Sequence, residues 1–406
     1  MQSVLFHVKG FVLNVITFFL NLFIHRDKNI WIFGSWMGTR FADNSRYLYQ
    51  FMHMEHEKFG IHKVVWITRN RSVYEMLKQY GYMVEMSNSA KGIYYHIKAG
   101  VHVVCNMAYT NGKYLGDING NLSNGAIKIQ LWHGFPIKSN VHQSHSGNKK
   151  ILSKIHGMNI YKYSLPGKWL EEQFVASLSS DCTRRYRIWF DNENLKTIEC
   201  GYPRDCQCVK YMRDELDVLR KLDKYSKTIL YLPTFRSYPI NFKHPLTNTK
   251  LAEWIVKQNI LWIEKPHLAS SMTDFFAEID LACPSNLLRL DNDFDVNVLI
   301  PKVSIVVTDY SSVSVDAIYF NCPVVYYVPD YDLYCKSDRG LTDGFDNVTV
   351  GPKVYDEGDM LPAIEEQMKK TSYQLKKESA YCQKVFFDDN KFSYEQQIKN
   401  ILDIIK

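Results

Sequence analysis

The chain has 406 residues, 46% of them hydrophobic and 14% aromatic, enough to bury more than one core and too apolar for a disordered linker. A formal net charge of +6 with no Lys/Arg block excludes a nucleic-acid-binding signature, and suits polyanionic substrates or an anionic membrane face. Nine cysteines, an odd number with no pair of CxxC motifs, fit a reduced cytosolic protein rather than a disulfide framework or a zinc site.

Residues 4–24, VLFHVKGFVLNVITFFLNLFI, are an almost unbroken apolar stretch before the charged HRDK. About 20 such residues suffice to span a bilayer. The polar and small exceptions His7, Gly10, Asn14, Thr17 and Asn21 recur at steps of three and four, however, so they form one narrow stripe on an otherwise apolar helix. That pattern predicts an amphipathic helix lying in a membrane interface; packing on the protein's own core is the alternative.

Strands are then predicted at 29–35, 63–68, 83–86 and 101–105, with helices between them and Asp43 or Asn44 as the cap of the first. A Gly/Asn-rich loop follows from Gly112 to Gly125, and a strand over 126–132 delivers Trp132-His133-Gly134, with Pro136 and Lys138 just beyond. Strand-like runs at 160–165 and 196–200 complete a first half, and GYPRD over 201–205 reads as a turn leaving it. In the second half, 228–232 and 260–264 read as strands ending in Pro233-Thr234-Phe235-Arg236 and Lys265-Pro266-His267. The alternation implies an α/β chain with two doubly wound parallel sheets. The expected division is a membrane-associating helix at 1–25, one Rossmann-like domain at 26–205 and another at 206–406, with a last helix from Tyr394 to Lys406 that can pack back on the first domain. A histidine beyond a strand end in each half implies a cleft between the two.

Pro301 to Asp330 reads as one strand-helix-strand unit. Between its first strand and its helix stand Thr308, Asp309, Tyr310, Ser311 and Ser312. Unpaired backbone N–H groups and two hydroxyls at a helix start suit a phosphate, although a serine there also serves as a simple cap worth roughly 1 kcal/mol.

LWHGFPIK (131–138), GYPR (201–204), YLPTFR (231–236), the histidine of EKPH (264–267), VTDYSSVSVD (307–316) and the RG of 339–340 followed by GP (351–352) occur in the order found in one family. Together they resemble the CDP-glycerol:poly(glycerophosphate) glycerophosphotransferase family, whose members build teichoic acids and related capsular phosphate polymers. The resemblance spans roughly residues 29–400, and six ordered motifs are far more specific than any one of them. One departure is the order Lys265-Pro266-His267-Leu268, where the family usually has Lys-x-His-Pro.

The resemblance implies a GT-B fold, two Rossmann-like domains facing a cleft, and peripheral association with the cytoplasmic face of the cell membrane. It implies an enzyme that moves glycerol phosphate or ribitol phosphate from a CDP-alditol to a hydroxyl of a lipid-linked or polymeric acceptor, releasing CMP. His133 is then the base for the acceptor hydroxyl, and His267, with Lys265 nearby, holds or protonates the leaving phosphate. Ser311 and Ser312 bind the pyrophosphate, Arg236 and Arg339 neutralise charge in the transition state, and Gly134, Lys138, Thr234, Thr308 and Asp309 complete the substrate-binding set. The scheme calls on no cofactor and no metal, and Asp291-Asn292-Asp293 reads as turn residues. Two rival functions share these features: a GT-B glycosyltransferase using a nucleotide sugar, and a non-catalytic membrane-associated scaffold.

Overall fold

Runs of β-branched and aromatic residues with little polar interruption become strands covered on both faces, the ordinary condition of a parallel sheet. The computed structural model describes residues 2–110, 113–138, 173–190, 192–207, 210–236, 238–265, 286–337 and 345–406. These divide into two compact units, one of Met1–His133, His145–Lys210 and Asn390–Lys406, the other of Gly134–Ser144 and Tyr211–Asp389.

The first unit contains α1 (Gln2–Phe23), β1 (Asp27–Phe33), α2 (Asp43–Glu55), β2 (Lys63–Thr68), α3 (Arg71–Gln79), β3 (Val84–Met86), α4 (Ala90–Lys98) and β4 (Ala99–Val104). A hairpin of β5 (Met107–Thr110) and β6 (Lys113–Gly116) follows, then β7 (Ile127–Gln130), β8 (Phe174–Ser177), α5 (Ser180–Phe190) and β9 (Lys196–Glu199). Seven parallel strands lie in the order β3-β2-β1-β4-β7-β8-β9. The direction of travel reverses between β1 and β4, where Ile32 stands opposite His102. One face buries Ile32, Val65, Ile67 and Val104 together; on α2, Tyr49 meets Phe33 and Trp66 edge-on at 5.4 Å between ring centroids.

The second unit contains α6 (Arg213–Leu222), β10 (Lys227–Leu232), α7 (Thr249–Lys257), β11 (Ile260–Glu264), β12 (Leu287–Arg289), β13 (Ile305–Thr308), α8 (Val313–Tyr319), β14 (Val324–Tyr327), α9 (Tyr331–Ser337), β15 (Lys353–Val354), α10 (Met360–Lys369) and α11 (Ser372–Phe387). Its parallel order, β12-β11-β10-β13-β14-β15, reverses direction between β10 and β13. Leu251 and Ile255 of α7 and Met360 and Ile364 of α10 pack on Ile229, Trp262, Ile305 and Val325 of this sheet. The final helix, α12 (Tyr394–Ile405), belongs to the first unit: Lys28 Nζ donates to the carbonyl of Ile405, and Asn400 Nδ2 to that of Glu199.

Several elements differ from the expectation. The strand expected at 160–165 lies outside the described residues, and the strand beside β7 is β8, preceded by a buried Gln173. Part of the Gly/Asn-rich loop is the β5–β6 hairpin, in which Lys113, Tyr114, Leu115 and Gly116 pair with 107–110. Ala42, not Asp43 or Asn44, precedes the first turn of α2.

The polar stripe of α1 turns inward. Thr17 is fully buried and its Oγ1 donates to the carbonyls of Leu13 (2.7 Å) and Asn121 (3.1 Å), while Asn21 Nδ2 donates to Asn124 O at 2.6 Å. Gly10 is buried, and a Cβ there would stand 3.1 Å from Asn121 Oδ1. The side chains of His7 and Asn14 lie outside the described residues. Facing outward are Val8, Val12, Ile16, Phe18, Phe19, Leu22 and Phe23, the last 82% exposed. Among the described residues no helix is long and apolar enough to cross a membrane.

The turn that receives α1 (Gly120–Leu122) rests on two buried histidines. His96 Nδ1 donates to Gly92 O at 2.6 Å and Nε2 accepts from Asn119 N at 3.0 Å, while His102 Nδ1 meets Ser123 Oγ at 2.8 Å. Burial lowers His96 from 6.5 to about 4, and lowers His102 well below its ordinary value. The unfolded chain therefore takes up protons near pH 6.5 that the folded chain refuses, so stability is fully present above that pH and lost as pH falls towards 4. Between pH 6.5 and 5 the loss from His96 is about 2 kcal/mol, with His102 adding in the same direction. Asp117, raised to about 6, offsets part of this loss over the same window, so urea midpoints should fall between pH 7.5 and 5 by less than the histidines alone would give, and equal midpoints would refute the account.

Candidate active site

In the first unit three adjacent strands, β1, β4 and β7, end beside one another, and His133 stands past the end of β7. Trp132 before it has φ +57°, a left-handed conformation that is costly for a bulky residue and persists only where its surroundings over-determine it. The surroundings are aromatic. Trp132 is buried against Trp189 (4.9 Å between ring centroids) and Phe190 (5.3 Å) of α5, and its amide donates to Gln130 Oε1. This bend sets the half-buried His133 ring against Trp132 at 4.6 Å and Trp36 at 5.7 Å.

His133 Nδ1 lies 2.9 Å from the carbonyl of Cys105, at the end of β4. A carbonyl only accepts, so Nδ1 carries a proton, and in the neutral ring the lone pair is then on Nε2, the form a general base requires. The backbone of His133 is held as well. Arg204 Nη1 donates to His133 O at 3.0 Å and to Asp43 Oδ1 at 2.8 Å, with both side chains buried. Asn44 Nδ2 donates to Trp132 O at 2.9 Å, and its Oδ1 accepts from the Arg204 amide. Asp43, expected as a helix cap, is thus an ion-pair partner at φ +63°, and the GYPR segment braces the loop of His133. Sequence reasoning missed Asp43, Asn44 and Arg204 as members of this set, although the GYPR motif contains Arg204.

In the second unit the ends of β10 and β13 lie side by side at the switch point, the usual ligand position in an open α/β sheet. Thr234 to Arg236 follow β10 and Asp309 to Ser312 follow β13. Asp309 accepts from the amides of Thr234 (2.9 Å) and Tyr310 (2.6 Å), locking the two loops together. Arg236, 1% exposed, bridges Asp309 Oδ2 at 2.8 Å and Asp330 Oδ2 at 2.6 Å, with its guanidinium carbon 4.9 Å from the Tyr310 ring centre. Arg236 Nε and Nη2 both bond Asp330, whose carboxylate also accepts from the hydroxyls of Tyr238 and Tyr310. Despite burial, Arg236 holds Asp330 below the usual carboxylate range.

The expected site residues therefore separate. Arg236, expected to meet substrate charge, is buried between two carboxylates and ties loops together. Thr308 is fully buried and donates to Leu232 O at 2.7 Å, so its hydroxyl joins two strands. Asp309 is engaged by the amides of Thr234 and Tyr310 and by Arg236. Ser311 and Ser312 are half-buried; α8 starts at Val313, and Ser312 makes no side-chain cap bond. Ser311 Oγ accepts from the Val313 amide at 3.4 Å, and Thr234 Oγ1 is buried with no hydrogen-bond partner among the described residues. Thr234, Ser311 and Ser312 thus place three hydroxyls in the two loops. Gly134 is buried, Lys138 is half-buried, and Lys265 Nζ donates to Phe294 O at 2.6 Å. His267 and Arg339 lie outside the described residues.

Arg236→Met would strand two buried carboxylates, and removal of one partner from such a group costs roughly 3–5 kcal/mol. Its melting temperature should drop well below that of the unaltered chain. Weaker nucleotide binding at unchanged melting temperature would instead return Arg236 to the substrate.

The family model described as CDP-Glycerol:Poly(glycerophosphate) glycerophosphotransferase matches residues 16–403. A teichoic acid poly(glycerol phosphate) polymerase of Bacillus spizizenii is 24% identical over 354 residues, covering 84% of each chain. A teichoic acid glycerol-phosphate primase of Bacillus subtilis is 29% identical over 219 residues, covering 53% of this chain and 52% of the primase. The fold matches a variant of the wall teichoic acid polymerase TagF with a TM-score of 0.70 at 20% identity, covering 100% of this chain and 96% of the other. With its motifs, two parallel sheets and near-complete family match, the chain belongs to the CDP-glycerol:poly(glycerophosphate) glycerophosphotransferase family and is a transferase with a GT-B-like fold.

Proposed function

We propose that the chain transfers glycerol phosphate from CDP-glycerol to a hydroxyl of a lipid-linked or polymeric phosphate-containing acceptor, releasing CMP, in teichoic acid synthesis. The observation that carries the reading is His133, held as its Nδ1–H tautomer on the Cys105 carbonyl at the end of β4, within the first of the family motifs. Nε2 takes the proton of the acceptor hydroxyl as its oxygen attacks the β-phosphorus. The P–O bond to the α-phosphate breaks, and its electrons leave with CMP. On the donor side, the hydroxyls of Thr234, Ser311 and Ser312 hydrogen-bond the pyrophosphate oxygens, adding donors without adding charge. Lys138 and Lys265 supply positive charge, Gly134 lets the phosphate approach the backbone, and His267 and Arg339 keep the leaving-phosphate and charge-neutralising roles of their motifs.

The membrane surface enters the same proposal through α1. Its stripe is spent on the protein, and the face with Phe18, Phe19, Leu22 and Phe23 points to solvent. Side chains of this kind gain about 1.5–3 kcal/mol each when fully removed from water. Such a face fits an interfacial helix on the cytoplasmic leaflet, where a lipid-linked acceptor is presented.

His133→Ala should lower turnover by roughly 10²-fold or more, as expected for loss of a general base, while CDP-glycerol affinity persists. CMP release with CDP-glycerol, beside CDP-ribitol and a nucleotide sugar, measures both the role and the donor. Near-normal turnover in the variant removes the base, and release of UDP or GDP from a nucleotide sugar returns the glycosyltransferase reading.

Replacing Phe18, Phe19, Leu22 and Phe23 together by Ser should move the protein from sedimenting anionic vesicles to the supernatant at an unchanged melting temperature. Retained sedimentation, or collapse of the fold, would show that this face does not meet lipid.

A further inference from the structure

Asp117 is a buried carboxylate, 1% exposed, in a stretch whose sequence reads as a plain Gly/Asn-rich loop. Its Oδ1 accepts from the amide of Met37 at 2.7 Å, and its Oδ2 from the amides of Cys105 at 2.8 Å and Asn106 at 2.7 Å. These amides belong to the segments that follow β1 and β4, where the ladder of the sheet stops. Cys105 is therefore held at both ends: its N–H by Asp117, and its C=O by the Nδ1–H of His133. Only that one residue separates the carboxylate from the imidazole.

The Met37 contact reaches the same ring by a second route. Trp36, Met37 and Gly38 have consecutive left-handed φ values of 45°, 56° and 73°, and the Trp36 ring lies 5.7 Å from His133. Two neighbouring non-glycine residues in that region store strain that something must hold. Besides Asp117, the clamp is Arg69, which donates to the carbonyls of Met37, Gly116 (2.6 Å) and Ile118 (2.9 Å) and so grips Asp117 from both sides along the chain. A Cβ at Gly34 or Gly38 would stand 2.8 Å from the Asp117 carbonyl oxygen, so only glycine lets the loop after β1 approach this closely.

We infer that Asp117 is a positioning residue for transfer: through the Cys105 peptide it fixes the tautomer and angle of His133, and through Met37 it holds Trp36 against the same ring. Two oxygens accepting three N–H groups favour the ionised form. Burial outweighs the pull of the three amides and Arg69 and leaves Asp117 at about 6, so the carboxylate is the form present at neutral pH. An Asn is nearly the same size, but its NH2 end cannot accept, so either Met37 or the Cys105–Asn106 pair must lose its acceptor.

The inference rests on His133 as the base, and its test includes a readout independent of turnover. Asp117→Asn should lower kcat for CMP release about 10-fold or more and leave KM for CDP-glycerol within about 2-fold. In ¹⁵N-histidine spectra, the His133 ring should shift from the pure Nδ1–H pattern towards a mixture of tautomers. Unchanged spectra, or unchanged kcat in a folded variant, would overturn the positioning role. Should Asp117→Asn fail to fold, Arg69→Met loosens the same clamp from its outer side. It should give the same kcat loss and spectral shift in lesser degree, and normal values in that variant would also overturn the inference. If His133→Ala retains turnover the base assignment falls, whereas the tautomer shift in Asp117→Asn is read without any turnover and stands separately.

Discussion

Where a parallel strand stops, the next few amides lose their partners, and a buried amide without an acceptor is costly. Both units meet this constraint with one buried carboxylate at the switch point of the sheet. In the first, Asp117 takes amides from the segments after β1 and β4; in the second, Asp309 takes amides from the segments after β10 and β13. Each carboxylate thereby holds a pair of loops at the position where open α/β sheets place ligands. The two are neutralised differently. Asp309 has the full charge of Arg236 against it, whereas Arg69 spends its protons on carbonyl groups flanking Asp117.

That arrangement accounts for the division of labour at the second switch point. Arginine is suited to meeting phosphate, and YLPTFR places one beyond a strand end, so assigning Arg236 to substrate was reasonable from sequence. The competing partner, Asp330, lies 94 residues further on, beyond β14, and only the folded sheet brings it near. Once the guanidinium is shared between two carboxylates, the loops still carry the hydroxyls of Thr234, Ser311 and Ser312. Ser311 and Ser312 were legible as such, because a doublet after a β-branched run marks a strand-to-helix turn. The helix begins at Val313, which leaves Ser312 without a capping bond.

Strand positions were legible in the sequence where β-branched or aromatic runs were separated by helical spacing, as for β1, β2, β4, β10, β11 and β13. Two short strands were not. FVAS of β8 and LLR of β12 carry no period of their own, and their neighbours decide their conformation. Asp117 was invisible for a related reason: its amide partners are 80, 12 and 11 residues distant, and nothing in its own surroundings resembles a motif. The stripe on α1 was seen correctly, but its direction was not legible, because periodicity shows that a face differs without showing which side meets protein. Thr17 and Asn21 settled it by finding carbonyl acceptors on the Gly120–Leu122 turn and at Asn124.

The attachment of α12 to the first unit has a consequence for how the chain is made. Tyr394 stacks on Phe51 at 4.6 Å, and Gly201, at φ +70°, leaves room for Phe392, so the unit that holds His133 is completed by residues synthesised after the whole of Tyr211–Asp389. At about 5–20 residues per second, a ribosome needs on the order of 10–40 s to pass through that stretch. For this interval the flank that will receive Tyr394 and Ile398 is uncovered while α1 is already outside the ribosome. The order of translation therefore presents the outward apolar face of α1 to its surroundings before the unit that carries it is closed.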